Sequence, residues 1–143
     1  MTDADLPAVM EIERETFPHD AWSEGMMRGE LDDQPRTRHY VVAETGGRIV
    51  GYAGLAVAAD QADVQTIAVL ESHRGTGLGG AMLTELLQEA RRRGAREIFL
   101  EVREDNPVAR GVYTRFGFKE IGTRRRYYDD GTDAIMMTRK LDG

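Results

Sequence analysis

Four glycines in seven residues stand directly ahead of a segment that has the pattern of a helix. The stretch from Arg74 to Gly80 is RGTGLGG, and the run that follows it places apolar residues at helical spacing. A strand, a glycine-rich turn and a helix N-terminus present unpaired backbone N–H groups and the positive end of a helix dipole to one point. Because glycine lets a ligand approach the backbone closely, the stretch suits a phosphate group, and Arg74 adds charge. A tight turn that is rich in glycine for steric reasons alone explains the same residues equally well.

Two familiar phosphate-binding motifs do not fit this stretch. A P-loop ends in Gly-Lys-Ser/Thr, which is absent here. A dinucleotide-binding turn follows the first strand of a parallel unit, whereas here strands joined by the hairpin signal Gly46-Gly47 come first.

A carboxylate in the middle of an apolar strand is the second candidate for chemistry. Glu101 lies in IFLEV, where the two-residue alternation of a strand puts it on the face opposite Ile98, Leu100 and Val102. Such a residue is either a positioned general base or a surface residue, and periodicity alone favours the surface.

The helix that follows this strand carries two more candidates. Asn106 precedes Pro107, so it has a simple structural role as the N-cap of the helix. Tyr113 stands one residue off the apolar stripe of the helix. By itself the tyrosine is explained as a packing residue with its hydroxyl at the surface.

Composition restricts the class of protein. With 143 residues, of which 41% are hydrophobic and 31% charged, the chain is expected to form one soluble globular domain over residues 1–143. The absence of cysteine excludes a disulfide, a thiolate metal site and a cysteine nucleophile. The three histidines show no ligand spacing, so no metal is expected.

Charge and targeting signals bear on partners and location. A net charge of −6 argues against nucleic acid as the main partner and is compatible with a basic peptide, although a general role in solubility explains it as well. The sequence has no apolar run long enough to span a membrane and no secretory layout at its start. These features predict a cytoplasmic protein that does not bind membranes.

The periodicity of the remaining residues predicts alternating helices and strands, which implies a mixed α/β sheet. A turn is predicted over Asp60 to Asp63. The predicted helices span 6–17, begin at Ser23, follow the glycines up to Gly94, and span 107–116. The predicted strands span 39–44, 48–58, 64–69, 97–103, 118–122 and 134–139.

Taken together, these segments resemble the GNAT acyltransferases, whose motif Gln/Arg-x-x-Gly-x-Gly/Ala is matched here by the stretch that starts at Arg74. Within that superfamily the chain is similar to the RimI type, the ribosomal-protein-alanine N-acetyltransferases. The similarity rests on LEVREDNPVARGVYTRFGF, on TFPHDAWSE around Trp22 and on RRRYYDDGTDAIMM, and it extends over nearly the whole chain.

The resemblance implies a fold, a co-substrate and a set of site residues. The fold would be the GNAT fold, a mixed, mostly antiparallel sheet flanked by helices, here without the strand that precedes the first helix. Glu101 would act as the general base and Tyr113 would protonate the leaving thiolate. Acetyl-CoA would bind to Ile67, Ala68, Val69, Arg74, Gly75, Thr76, Gly77, Leu78, Gly79, Gly80 and Asn106. The acceptor would contact Trp22, Tyr127 and Tyr128.

The implied reaction is direct transfer of acetyl to the N-terminal alanine of a ribosomal protein, of the small subunit by the same resemblance. Structural roles remain alternatives for these residues, with Trp22 as a core anchor and the two tyrosines as packing residues at a strand end. The segment between Phe17 and Trp22 has a few more residues than the family usually has, which bears on acceptor specificity. Other acceptors stay open, namely lysine side chains, other N-termini and small amines, as does a non-catalytic acyl-CoA-binding module. An α-amino group is about 10% neutral at pH 7 and a lysine less than about 0.1%, which favours an N-terminus. The oligomeric state is left open.

Overall fold

The chain folds into four helices and six strands, and the computed structural model describes residues 1–141. Short 3₁₀ turns at Asp3–Asp5 and Glu71–His73 come before the first and third helices. The helices are α1 (Leu6–Thr16), α2 (Glu24–Asp32), α3 (Leu78–Arg92) and α4 (Pro107–Arg115). The strands are β1 (Arg38–Thr45), β2 (Arg48–Ala58), β3 (Gln61–Val69), β4 (Glu97–Arg103), β5 (Lys119–Arg124) and β6 (Ala134–Lys140).

All six strands form one sheet in the order β1-β2-β3-β4-β6-β5. Neighbouring strands are antiparallel except for β3 and β4, which are parallel. A parallel pair needs a crossover connection, and α3 supplies it. This arrangement confirms the expected mixed, mostly antiparallel sheet flanked by helices.

Helices cover both faces of the sheet, each over its own apolar core. On one face α1 and α2 pack against Tyr40, Tyr52 and their neighbours. On the other face α3 packs against residues that include Leu55 and Ile98, and Tyr113 of α4 joins that core. Burial therefore alternates along β4, whose even-numbered residues belong to the α3 core. Its odd-numbered side chains, Glu101 among them, project to the other face.

Two of the helix starts that the sequence predicts, those of α2 and α4, are confirmed by their caps. Ser23 accepts a hydrogen bond from the Met26 backbone N–H at 3.1 Å, and α2 begins at the next residue. Asn106 accepts one from the Ala109 N–H at 3.2 Å at the start of α4. Each side-chain oxygen satisfies one of the N–H groups that the first turn of a helix leaves unpaired.

The turn predicted over Asp60 to Asp63 is wrong in its extent. Strand β3 already begins at Gln61, and Ala62 is fully buried. The reversal is confined to Ala59 and Asp60, and Ala59 takes a positive φ of 54°. The polar residues at the start of β3 have a low strand propensity, so the sequence predicted a turn there. Pairing with β2 on one side and with β4 on the other outweighs that propensity.

Strands β3 and β4 pair only where they start. Their register covers Gln61–Asp63 opposite Glu97–Phe99 and then ends. Beyond that point β3 remains paired with β2, and β4 remains paired with β6. The sheet therefore opens between residues 64–69 and 100–103 along the middle of the molecule. Among the helices of residues 1–141, none has the length and apolar character needed to cross a bilayer.

Candidate active site

The gap between β3 and β4 is lined by backbone groups whose direction is set by the outer pairings. Leu70 N–H donates to the Val50 carbonyl at 2.8 Å, so alternate residues of β3 direct their N–H and C=O groups toward β2. The N–H of Ala68 therefore points to β2, whereas those of Ile67 and Val69 point into the gap. Of the three residues predicted to meet the cofactor through their backbone, two present a free amide.

The same alternation places the backbone of Glu101 at the gap. On the other side of β4, Leu141 N–H donates to the Arg96 carbonyl at 2.8 Å, and Glu104 N–H donates to Asp133. Even-numbered residues of β4 thus bond to β6, and odd-numbered residues face β3. The Glu101 backbone and the Val69 amide consequently lie on opposite walls of one slot.

The glycine-rich loop at the end of β3 forms a row of free amides. Gly75 and Gly77 have φ values of +78° and +85°, which residues with a side chain rarely adopt. Within residues 1–141, none of the backbone N–H groups of residues 75–80 donates to a protein acceptor, and the first that does is Ala81, to the Gly77 carbonyl at 3.0 Å. These donors converge with the positive end of the α3 dipole, as an anion site requires.

The glycines of this loop have different roles. Around Gly75 and Gly77 an added Cβ would meet nothing within 4 Å, so these positions are open to solvent and glycine is needed there for its backbone angles. At Gly80 an added Cβ would lie 3.2 Å from the Phe116 ring, so this glycine permits close packing of α3 on the end of α4. Leu78 packs against the α1 core. A ligand can therefore approach the loop closely at Gly75 and Gly77, whereas Leu78 and Gly80 pack against the protein.

Two polar side chains hold the loop in shape. Arg74 Nε donates to the Val69 carbonyl at 3.1 Å, which ties the loop back to the end of β3. The Thr76 hydroxyl donates to the His73 carbonyl. The guanidinium of Arg74 thus adds positive charge at the end of β3, next to the start of the loop.

Glu101 lies among polar groups on the face covered by α1 and α2. Its side chain is 28% exposed, and Arg124 Nε lies 3.0 Å from its Oε1. Interaction with the Glu101 carboxylate is the main cause of the raised pKa of the Tyr127 hydroxyl, and burial adds to it. Burial is the main cause of the raised pKa of Tyr128, and the negative charge of Glu101 adds to it. The two tyrosines predicted for the acceptor side are therefore neighbours of the predicted base.

Tyr113 lies on the opposite face of the sheet, in the core that α3 covers. The residue is 9% exposed and packs edge-on to Phe118, with 6.0 Å between ring centres. Burial raises the pKa of its hydroxyl to about 12, so the phenol keeps its proton at neutral pH. No side-chain hydrogen bond holds this hydroxyl within residues 1–141, which leaves it able to donate.

Arg103 joins the two loops that flank Glu101, and the sequence analysis gave it no role. Its guanidinium pairs with Asp20 in the α1–α2 loop and, at 2.6 Å, with Asp130 in the β5–β6 loop. It also pairs with Asp105 at 3.0 Å and lies 4.9 Å from the centre of the Tyr128 ring. A guanidinium with several fixed donors can bridge carboxylates from separate segments.

Glu13 is a second functional candidate that sequence reasoning missed, although it falls on the apolar stripe of α1. It is 1% exposed, accepts a hydrogen bond from the Trp22 backbone N–H at 2.8 Å, and accepts another from the Tyr52 hydroxyl. Burial raises the pKa of its carboxyl group, and the Trp22 N–H partly offsets this. The buried carboxyl thereby anchors the α1–α2 loop to the sheet. Trp22 itself is half-buried against the α1 core.

One group of possible metal ligands forms in space although the sequence showed no ligand spacing. His39, Glu85 and Glu89 bring ligand atoms within 4.8 Å of one another. Arg92 and Arg93 both donate to Glu89 at 2.7 Å, and these two cations oppose the binding of a third. The group lies between β1 and α3, away from the gap.

Comparison with known proteins is consistent with this geometry. A sequence model described as the acetyltransferase (GNAT) family matches residues 6–118. The chain is 38% identical, over 97% of its length and 89% of the relative's, to the N-alpha-acetyltransferase RimI of Mycobacterium tuberculosis. It is 35% identical, over 93% of its length and 89% of the relative's, to the [ribosomal protein bS18]-alanine N-acetyltransferase of Escherichia coli K12. The crystal structure of the ribosomal-protein-S18-alanine N-acetyltransferase from Escherichia coli superposes with a TM-score of 0.85 at 32% identity, over 100% of this chain and 92% of that one.

The raised pKa of Glu13 predicts how stability changes with pH. Below the usual pKa of a glutamic acid, the carboxyl group is neutral in both folded and unfolded chains. As pH rises, the unfolded chain releases this proton first, and the folded chain must then carry a buried charge, so stability falls. Glu13→Gln removes this titration, and each unit by which burial raises the pKa corresponds to about 1.4 kcal/mol at neutral pH.

The measurement is the free energy of unfolding of the protein and of Glu13→Gln in urea, from pH 4 to pH 8. The difference should move in favour of the glutamine variant as pH rises. Glu11→Gln, on the exposed side of the same helix, controls for the loss of one charge. Parallel curves for the protein and Glu13→Gln would contradict the assignment.

Proposed function

This chain belongs to the GNAT acetyltransferase family, and we propose that it transfers the acetyl group of acetyl-CoA to the N-terminal alanine of a small-subunit ribosomal protein. The observation that carries the proposal is the slot between β3 and β4, which is lined by free amides, continues into the free amides of the glycine-rich loop and has the backbone of Glu101 on its β4 wall. Two relatives that match almost the full chain are named for N-alpha or alanine acetylation. They support a protein N-terminus as the acceptor.

The glycine-rich loop suits the pyrophosphate of acetyl-CoA. Six successive N–H groups without a protein acceptor, from Gly75 to Gly80, would otherwise be left to water. They can donate to phosphate oxygens, with Arg74 adding charge. In the gap between β3 and β4, the free amides of Ile67 and Val69 can donate to the pantetheine arm and to the thioester carbonyl. Asn106 has its oxygen engaged as a cap and keeps its amide NH₂ for the co-substrate.

Glu101 would serve as the proton acceptor. The amine nitrogen attacks the thioester carbon with its lone pair while Glu101 takes up the proton that the nitrogen loses. The new C–N bond places negative charge on the carbonyl oxygen, where the amide of Val69 or Ile67 can stabilise it. When the C–S bond breaks, the electron pair goes to sulfur.

Tyr113 would supply the proton to that sulfur. Its pKa of about 12 keeps the phenol protonated at neutral pH, and its hydroxyl has no competing side-chain partner among residues 1–141. The base and the acid lie on opposite faces of the sheet, so the proton accepted by one is not passed directly to the other. Since the chain has no cysteine to carry the acetyl group, transfer occurs directly in a ternary complex.

The acceptor would lie on the Glu101 side, between the α1–α2 loop with Trp22 and the β5–β6 loop with Tyr127 and Tyr128. Both loops are fixed to the end of β4 through Arg103. An α-amino group has more neutral form at pH 7 than a lysine has, so a carboxylate base is better matched to it. This preference supports an N-terminal acceptor.

An acceptor panel tests the proposed reaction. The purified protein is incubated with acetyl-CoA and three acceptors, namely an alanine-initiated peptide, the same peptide with a blocked N-terminus and an internal lysine, and a small amine. Mass spectrometry of the modified nitrogen should show acetyl on the α-amine of the first peptide at a rate at least about tenfold above the others. Preferred acetylation of lysine or of the small amine would refute the assignment, as would acetyl-CoA binding without transfer.

The glycine-rich loop is tested by Gly77→Val. A valine at this positive φ would distort the turn and cover the amides, so the acetyl-CoA dissociation constant should rise about tenfold or more. Gly47→Val is the matched control, because Gly47 also has a positive φ, +79°, and open space around it, but lies in the β1–β2 hairpin. Isothermal calorimetry gives both constants. Equal acetyl-CoA affinity of the two folded variants would contradict the assigned cradle.

The two proton carriers are separated by pH dependence. Glu101→Gln removes the acceptor of the proton, so turnover should fall on the order of 10²- to 10⁴-fold and recover in part as rising pH deprotonates the amine. Tyr113→Phe should give a smaller loss, because a thiolate leaves tolerably unaided, and high pH should not restore it. The measurement is kcat against pH for an alanine-initiated peptide, with the acetyl-CoA dissociation constant as control. Near-normal turnover of Glu101→Gln at pH 7 would rule out Glu101 as the base.

A further inference from the structure

The carboxylate assigned as the base is already bound to a cation. Arg124, the last residue of β5, places Nε 3.0 Å from Glu101 Oε1. Its Cζ also lies 5.9 Å from the centre of the Tyr127 ring, so the guanidinium rests on the tyrosine beside the carboxylate. An amine that is to give its proton to Glu101 has to reach the same carboxylate.

This ion pair is exposed to solvent and is weak enough to be exchanged. The Arg124 side chain is 52% exposed, Glu101 is 28% exposed, and Tyr127 is 50% exposed. An ion pair of this exposure shifts an equilibrium by roughly two- to fivefold at most. Arg103, two residues further along β4, is 19% exposed and is held by three carboxylates, so it is not exchanged in this way.

We propose that Arg124 is a positioning residue that holds Glu101 in the acceptor cleft and gives it up to the α-ammonium group of the acceptor. The inference rests on the proposed function, since it takes the acceptor to be a protein N-terminus. An ammonium and a guanidinium both bring N–H donors and one positive charge to a carboxylate. The exchange therefore leaves Glu101 paired at every stage, and the guanidinium moves to solvent, which it already contacts.

The exchange has a consequence for acceptor affinity. The free energy that the α-ammonium gains on binding to Glu101 is reduced by the free energy needed to break the ion pair between Arg124 and Glu101. An acceptor whose N-terminus is blocked brings no charge to offset that loss and leaves the original pair in place. Arg124 thus competes with a cationic N-terminus for Glu101, and its removal should strengthen acceptor binding, whereas removing a residue that only contacts the acceptor would weaken it.

The test is the dissociation constant of an alanine-initiated peptide, measured by calorimetry in the presence of coenzyme A. Arg124→Met should bind the peptide about two- to fivefold more tightly than the unchanged protein does. Arg125→Met is the matched control, because Arg125 is the next residue, is exposed and forms no ion pair within residues 1–141, and it should leave the constant unchanged. Arg124→Lys keeps the cation and should return the affinity toward that of the unchanged protein.

A double-mutant cycle with Glu101 separates exchange from general repulsion between cations. In a Glu101→Gln background the guanidinium has no carboxylate to release, so Arg124→Met should change peptide affinity by less than about half of its effect in the unchanged protein, on a logarithmic scale. A peptide with an acetylated N-terminus should bind all variants alike. In steady-state kinetics the change should appear in the acceptor KM and leave kcat within about twofold.

The outcomes are distinct. If the peptide is acetylated by the unchanged protein but Arg124→Met binds it equally or more weakly, with acetyl-CoA affinity intact, the exchange is refuted and the proposed function stands. An effect of the same size in the Glu101→Gln background also refutes the exchange. If the unchanged protein neither binds nor acetylates the alanine-initiated peptide, the proposed function fails and the exchange with an N-terminus fails with it.

Discussion

The early end of pairing between β3 and β4 is the constraint on which the candidate site depends. After Phe99 the two strands bond only to their outer neighbours, so one row of amides on each faces a slot. Burial of unpaired backbone groups is unfavourable, and a slot of this kind is tolerated where water or a ligand can reach it. The free amides of the glycine-rich loop continue the same row of donors. The site is therefore built mainly of backbone, and side chains add charge and proton transfer.

The two loops beside Glu101 are fixed by charged groups of different character. Arg103 is partly exposed and multiply paired, and it holds the pKa of Asp130 well below its usual range, so its contacts persist into acid. Glu13 is a lone buried carboxyl group that holds Trp22 through a backbone N–H, at a cost that grows as it ionises. A buried carboxyl group and a partly exposed guanidinium thus both fix the α1–α2 loop. Arg124, by contrast, is half-exposed and pairs with Glu101 alone among the carboxylates of residues 1–141.

The sequence was sufficient for most of the fold because local signals agreed with the final packing. The capped helices, the Gly46-Gly47 hairpin and the alternating β4 were each predicted from their own residues. The start of β3 was not, since Gln61 and Asp63 are polar and gain their strand conformation from pairing on both sides. The glycines were singled out by their type and spacing, whereas Glu101 and Tyr113 became candidates through the resemblance of their segments to a family, since spacing alone explained both as structural residues. The role of Arg103 was not predicted because its partners lie up to 83 residues away in the chain. Contacts over such a separation produce no periodic pattern in the sequence.

The sheet itself keeps the proposed base and acid apart. Successive side chains of a strand alternate between faces, so Glu101 projects to the α1 side while Tyr113 approaches from the α3 side, within the apolar core. The phenol is consequently shielded from the carboxylates near Glu101, and burial alone raises its pKa to about 12. On the other face those same carboxylates favour cations, whether guanidinium or ammonium. The sheet thus separates a polar side that carries several carboxylates from an apolar side that keeps a neutral phenol, which is the asymmetry that the proposed acyl transfer to an amine requires.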